Sequence, residues 1–218
     1  MFNGCTSLTT APALKATTLA DECYLGMFKG CTSLETAPAL KAETLAESCY
    51  QSMFQGCTKL TTAPELKATT LADKCYSNMF EGCTKLTTAP ELKATTLASN
   101  CYSGMFKDCT SLTQAPTLPV ETLAESCYSS MFYGCTKLES VTMLATDVSK
   151  TKCLYNWLND AGKDATSRKL QVNSWKVYEA IKKKNYLPTN WQAGANNTKI
   201  LDKDGKDITS TITSPTNQ

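Results

Sequence analysis

The amino-acid sequence predicts an α/β solenoid with short parallel strands on one side, short helices on the other and a small α+β cap at its C-terminal end. The first observation is a repeat, because Met-Phe returns every 26 residues, at positions 1, 27, 53, 79, 105 and 131. The second is a change of apolar spacing within each copy. Repeats of this length, between about 20 and 50 residues, bury their apolar sides only by stacking on copies of themselves.

Each copy begins with a short extended segment. Residues 8–12 read Leu-Thr-Thr-Ala-Pro, which suits a strand that ends at proline, since proline cannot donate a hydrogen bond to a sheet. After a turn, residues 14–19 carry two threonines between spaced leucines and predict a second extended segment. Stacked copies of these segments would form a parallel sheet.

The second half of each copy predicts a helix. Cys23, Met27 and Cys31 follow one another at a spacing of four, which is typical of an apolar helical stripe. A helix N-terminus favours the acidic or capping residue that precedes the stripe in successive copies (Asp21, Glu47, Asp73, Ser99 and Glu125). Glycine closes the segment at positions 4, 30, 56, 82 and 134, as at a helix C-terminus. Asp108 replaces it once, and aspartate tolerates the left-handed conformation.

The repeat decays after Leu138, which predicts three parts: a solenoid of six copies over residues 1–149, a cap over residues 150–192 and a polar tail over residues 193–218. In the cap we expect a helix over residues 154–162, a strand over residues 168–173 and a helix over residues 175–184. Ser174 would cap the last helix. Its predicted inner side consists of Trp175, Val177, Tyr178 and Ile181. In the tail, Asp204-Gly205 predicts the turn of a small hairpin.

Charge and composition exclude several classes of function. Residues 1–149 carry 10 lysines and 14 acidic residues, a net charge of −4, whereas residues 150–218 carry 12 basic and 6 acidic residues, a net charge of +6. Neither part has the basic excess of a nucleic-acid-binding protein, and no apolar run approaches the roughly 20 residues of a membrane span. Met1 and Phe2 already form the Met-Phe of a repeat, so we expect the chain to be a piece of a longer one.

The twelve cysteines belong to the repeat, because their spacing alternates between 18 and 8 residues. On a helix, Cys23 and Cys31 would lie about 12 Å apart, beyond the roughly 7 Å between Cα atoms that a disulfide spans. Cysteines of adjacent coils would come closer, but a column of small buried thiols packs without bonds. We therefore predict free, structural cysteines. With no histidine and no Cys-x-x-Cys, the sequence predicts no metal site, no cofactor and no catalytic activity.

Two polar rows are predicted on the surface of the stacked coils. The first lies on the sheet face, where solenoids often bind their partners, and its candidate binding residues are Thr10, Glu35, Thr36, Thr62, Thr88 and Gln114. The second is a lysine stripe (Lys15, Lys41, Lys67 and Lys93) that would attract an anionic glycan or an acidic protein. The alternative interpretation of this stripe is a solvated rim balanced by Glu65 and Glu91, and it is favoured because lysine is common at sheet edges.

The repeated pattern MF-x-GCT-x-L-T-x-AP-x-L, preceded by Leu-Ala-x-x-Cys-Tyr, resembles the BspA-type leucine-rich repeats of bacterial surface proteins. The resemblance covers residues 1–149 and implies a right-handed leucine-rich-repeat solenoid. It also implies a secreted or surface-displayed protein that adheres to a protein or glycan. We expect the chain itself to be a monomer that is not inserted in a membrane. The alternative is a spacer or assembly module with no ligand of its own.

Overall fold

The computed structural model describes residues 1–213, and its repeats stack as parallel coils. Isolated parallel bridges join equivalent residues of successive copies, with Thr10 opposite Thr36, Thr62 opposite Thr88 and Gln114 opposite Ser140. A second column of bridges includes Thr44 opposite Thr70. The predicted sheet side is therefore present, but in the first five copies it consists of single bridges. The Ala-Pro step that follows each bridge explains this, because proline offers no backbone N–H to the ladder.

A regular sheet forms where the proline is lost. The strands are β1 (Ser140–Met143), β2 (Arg168–Val172) and β3 (Thr198–Leu201), paired in parallel in the order β1-β2-β3. Ser140 lies opposite Lys169, and Lys169 opposite Lys199, so this sheet extends the column of Gln114 and Ser140. The strand predicted over residues 168–173 is confirmed as β2. Whether the chain divides at residues 149/150 and 192/193 stays a prediction.

The helices predicted in the repeats are wrong. Within residues 1–174 the structure contains no α-helix, and the segment with fourfold spacing is a series of tight turns. Backbone φ is positive at every fourth residue of this segment, for example 57° at Glu22, 56° at Gly26 and 72° at Gly30. Residues 154–162 follow the same pattern, with φ of 54° at Asn156 and 58° at Asp160, so the helix predicted there is wrong as well.

Two alternating sets of backbone hydrogen bonds hold these turns, and we call the arrangement the turn ladder. One residue donates its N–H to the next coil, as Tyr24 does to Cys49 (3.0 Å) and Phe28 to Met53 (2.9 Å). The next residue donates to the carbonyl three positions earlier, as Met27 does to Tyr24 (3.1 Å). The hydrogen bonds repeat every two residues and the positive φ every four, so the segment buries residues at the same spacing as a helix. Apolar periodicity alone cannot separate the two.

The acidic and glycine positions have roles different from those predicted. Asp21 does not cap a helix; its carboxylate accepts the backbone N–H of Glu47 in the next coil at 3.0 Å, and Asp73 accepts that of Ser99 at 2.9 Å. The glycines do not end helices but occupy positive-φ positions in the turn ladder. The expectation that aspartate adopts the same conformation is confirmed, because φ of Asp108 is 59°.

The core consists of side-chain columns that run through the coils. Phenylalanine rings stack with centroids 5.6–5.8 Å apart from Phe2 to Phe132, and tyrosine rings stack 5.7–6.0 Å apart from Tyr24 to Tyr128. Interplanar angles stay at 13° or less, so each ring lies nearly parallel to its neighbours. Columns of methionine, cysteine and leucine fill the space between them. Each repeat thus supplies one layer of the same core.

After β2 the chain forms α1 (Trp175–Lys183), two 3-10 turns (Thr189–Trp191 and Ala195–Asn197), β3 and a short helix α2 (Thr209–Thr213). The helix predicted over residues 175–184 is confirmed, and Val177, Tyr178 and Ile181 are buried as expected. The placement of Trp175 is wrong, because it stands at the start of α1 with 49 % of its surface exposed. Ser174 is the N-cap residue of α1, although its side chain makes no capping hydrogen bond.

The predicted hairpin is confirmed. Leu201 pairs with Asp207 in an antiparallel bridge, and Asp202 N–H donates to the Lys206 carbonyl at 3.0 Å. Gly205 takes a φ of 79°, which is the left-handed conformation that favours glycine in such a turn. The predicted polar tail extends to residue 218, and its part beyond residue 213 lies outside the described residues.

Candidate binding surfaces

All six candidate binding residues are exposed, and all but Glu35 lie on the bridge column of the solenoid, which we call the sheet face. Thr10, Thr36, Thr62, Thr88 and Gln114 lie at equivalent positions of successive coils, and Glu35 is adjacent to Thr36 in the chain. The structure therefore brings the first five together in one line along the long direction of the stack, with Glu35 beside it. A ligand that spans several coils would meet one such side chain per coil.

Backbone hydrogen bonds hold this line in register. The N–H of Glu35 donates to the Thr9 carbonyl at 3.1 Å, and the N–H of Glu139 donates to the Thr113 carbonyl at 2.7 Å. The threonine side chain is short and restricted at χ1, so it loses little conformational entropy when a ligand binds. The sheet face is thus a flat, preorganised polar surface.

The sequence analysis missed the continuation of this surface into the C-terminal sheet. Lys169 and Lys199 lie in line with Ser140, and both are exposed. Gln171 is held nearby, because its amide donates to the carbonyls of Asp202 and Lys203 at 3.1 Å. The alternation of polar and apolar residues over 168–172 does predict a strand. Its register against Ser140 is set by a 29-residue offset that the 26-residue period does not show.

The lysine stripe is partly neutralised by acids. Lys93 Nζ lies 2.7 Å from Glu65 Oε1, and this ion pair raises the pKa of the lysine and lowers that of the carboxyl group. Because both side chains are exposed, the pair contributes little to stability. Its geometry agrees with the solvated rim favoured from sequence.

The cysteines are placed for packing. All twelve are free thiols, and all but Cys5 and Cys23 are buried. In one column each thiol donates to the phenylalanine carbonyl of the preceding coil, as Cys57 Sγ does to Phe28 at 3.1 Å and Cys83 Sγ to Phe54 at 3.1 Å. Burial raises the pKa of Cys57 to about 12, so the thiolate needed for nucleophilic or metal chemistry is suppressed.

Other candidate chemistry is absent from the described part of the chain. No group of three metal-ligating side chains occurs within residues 1–213. The Asp202 carboxylate accepts the backbone N–H groups of Asp204 and Lys206 at 3.0 and 2.9 Å. That carboxylate shapes the hairpin turn. None of the described helices has the length and apolar character of a membrane span.

A family model described as a BspA type leucine rich repeat region matches six copies, over residues 1–113 and 26–156. The chain belongs to this BspA-type leucine-rich repeat family. Neither the curated proteins nor the solved structures contain a match. The family confirms the resemblance drawn from the Met-Phe, Cys and Leu positions, and leucine-rich repeats of this kind are generally not enzymes. The turn ladder is therefore how this BspA-type chain completes each leucine-rich repeat.

Proposed function

We propose that the chain is a non-catalytic binding and adhesion module of a secreted or cell-surface bacterial protein, and that it recognises a protein or glycan through the sheet face. The observation that carries this proposal is the exposed, in-register line formed by Thr10, Thr36, Thr62, Thr88 and Gln114. Family membership supports it, since BspA-type repeats are typical of bacterial surface proteins.

The shape of the line argues for a long ligand. Adjacent strands of a sheet lie about 4.8 Å apart, so the line from Thr10 to Gln114 extends over roughly 20 Å, the length of several sugar units or of an extended peptide. Contacts spread over such a line contribute little each. We therefore expect single substitutions to weaken binding only modestly.

The test begins with a screen of the protein against glycan arrays and extracellular-matrix proteins. A triple variant, Thr36→Lys, Thr62→Lys and Thr88→Lys, should then weaken binding of any ligand found by at least tenfold. The matched control carries the same three charges at exposed threonines off this line, Thr17, Thr69 and Thr95. Undiminished binding by a folded sheet-face variant would exclude this surface.

The second candidate function is a spacer that only separates other parts of a longer protein. The continuous core of stacked rings favours it, because a rigid rod needs no ligand. If the screen finds no protein or glycan that binds, the spacer is favoured over the binding module.

A further inference from the structure

A polar cleft lies at the C-terminal end of the molecule, away from the sheet face. One wall is the last stretch of turn ladder, with Asn156, Asn159 and the charged Asp160 and Lys163. The other is the segment after α1, with Asn185, Thr189 and Asn190. Its volume is about 540 Å³, within the range of about 300–1,000 Å³ typical of small-ligand sites. We call it the amide cleft.

The amide cleft exists because the last coils are longer than the repeat. The register between β1 and β2 is offset by 29 residues and that between β2 and β3 by 30, whereas the bridge from Gln114 to Ser140 spans 26. The coil from β2 to β3 is thus four residues longer than the repeat, and it contains α1 and the segment that follows it. That segment is fastened to the turn ladder, because the Trp157 indole donates to the Tyr186 carbonyl at 2.9 Å and the Asn190 amide to the Ala161 carbonyl at 2.8 Å.

Arg168 lies at the floor of the amide cleft, and hydrogen bonds from it and from the neighbouring Trp191 hold this region together. Arg168 is almost completely buried there, and its guanidinium donates to the carbonyls of Gly162 and Ala165. The buried Trp191 donates its indole N–H to the Ala161 carbonyl at 3.0 Å. Burial lowers the pKa of Arg168, which remains a cation at any ordinary pH. A ligand would thus meet preformed walls, which reduces the entropy lost on binding.

The lining is suited to hydroxyl groups. Each asparagine amide has two donor hydrogens and one acceptor oxygen, and the threonine hydroxyl has both kinds of group. Asn159 uses one donor hydrogen on Asn156 Oδ1 at 3.1 Å and Asn190 uses one on the Ala161 carbonyl, which leaves one donor hydrogen on each of these two amides. Positive φ explains an asparagine at positions 156 and 185 (54° and 57°), whereas Asn159 and Asn190 are held in the walls by their amide hydrogen bonds to Asn156 and Ala161. Each hydroxyl group of a sugar can both donate and accept a hydrogen bond, so it can pair with an amide or a threonine hydroxyl group.

An aromatic side chain completes the site. Tyr133 borders the amide cleft and is partly exposed, with Lys107 lying 5.9 Å from its ring centroid. The equivalent residues of the other copies are Asn3, Lys29, Gln55, Glu81, Lys107 and Asn159, none of them aromatic. An amphipathic ring packs against the C–H face of a pyranose while its hydroxyl stays in water.

We propose that the amide cleft binds one or two units of an oligosaccharide, with Tyr133 against the sugar ring and the asparagine amides on its hydroxyl groups. This goes beyond sheet-face binding, because it assigns a ligand class to a different surface. The two surfaces can be tested apart, since no residue of the sheet-face line borders the amide cleft.

The test uses the full chain on an array of mono- to tetrasaccharides that covers neutral hexoses, N-acetylhexosamines and uronic acids, followed by calorimetric titration of the strongest sugar. Tyr133→Ala should weaken binding about tenfold. Thr189→Val, which removes one hydroxyl group at nearly constant volume, should weaken it about threefold. The matched control is Tyr155→Ala, since Tyr155 is 47 % exposed in the same part of the chain but does not border the amide cleft.

Binding that falls in both cleft variants but not in the control or in the sheet-face triple variant supports the proposal. No sugar bound by the array, or equal loss in Tyr155→Ala and Tyr133→Ala, overturns it. Sugar binding lost only in the sheet-face triple variant also overturns it, while supporting the proposed function. Matrix-protein binding without any sugar binding overturns the cleft assignment and leaves the sheet face to be judged by its own variants.

Discussion

At the scale of single residues, the cysteines are free thiols as the sequence predicts, but for a different structural reason. Free thiols were predicted because a helix would separate Cys23 from Cys31, yet the segment between them is a turn ladder. What the structure supplies instead is a hydrogen-bonding partner for the thiol, the phenylalanine carbonyl of the preceding coil, as between Cys109 and Phe80 at 3.1 Å. That carbonyl cannot be identified before the coils are placed in register.

This arrangement predicts two classes of thiol. In native protein at pH 8, Cys5 and Cys23 should react rapidly with a thiol reagent because they are exposed, and the other ten should react only as fast as the protein opens. Absorbance should rise by two equivalents in the fast phase and reach twelve after denaturation without reductant. A fast phase of many equivalents would contradict the buried columns, and a denatured total near zero would indicate disulfides.

At the scale of elements, the turn ladder is the largest departure from the sequence prediction. The apolar residues at a spacing of four did identify the buried side. The overlooked signal is the position of Gly26, which is filled by Ser52, Asn78, Gly104, Ser130 and Asn156 in later copies. These residue types are weak in helix interiors but common where φ is positive. The sheet side was better predicted, since proline marks the end of each short bridge segment.

A single substitution can distinguish a turn ladder from a helix in this segment. Gly26 has a φ of 56°, and a methyl group added there would meet only the Cβ of Lys29 at 3.8 Å, an ordinary contact. In a helix interior, Gly26→Ala would stabilise the protein by about 1 kcal/mol. In the turn ladder it should destabilise by about 1–2 kcal/mol, because an L-residue is strained at this φ.

Urea unfolding of both proteins measures this difference. Leu25→Ala is the neighbouring control, because Leu25 is 44 % exposed and should change the free energy of unfolding by less than about 0.5 kcal/mol. If the Gly26→Ala protein were more stable than the parent, the result would contradict the turn ladder and support a helix in this segment. For the candidate binding residues, the sequence predicts the exposure and alignment that the structure has. The amide cleft could not be predicted from sequence, because its walls meet only when residues 156–190 fold.

At the scale of the whole molecule, the last coils cover the end of the repeated core. Trp157 and Leu158 are fully buried and follow Met131 and Phe132 by one period, and α1 buries Val177, Tyr178 and Ile181. Deleting residues 150–218 should uncover Tyr128 and Phe132 and cause aggregation, with a lower thermal midpoint. A monomeric, equally heat-stable truncation at residue 149 would show that no cap is needed.

The cysteine columns also predict how stability depends on pH. Burial raises the pKa of Cys49, Cys57, Cys75 and Cys127 from an ordinary value of 9.0 to about 12. Below pH 9 the thiols are protonated in both states, and their contribution is complete. Between pH 9 and pH 12 the unfolded chain loses these protons while the folded chain keeps them, so the free energy of unfolding falls with rising pH.

Each such thiol lowers the free energy of unfolding by about 1.4 kcal/mol per pH unit in this window, and the buried tyrosines, whose pKa values are also raised, act in the same direction. We expect a steep loss of stability above pH 9, measured by urea unfolding at pH 7, 8, 9.5 and 10.5. The double variant Cys57→Ala and Cys83→Ala should flatten the slope above pH 9 by about two protons per molecule, because burial raises the pKa of both thiols. If the double variant kept the parent slope, the buried thiols would not be the groups that titrate on unfolding.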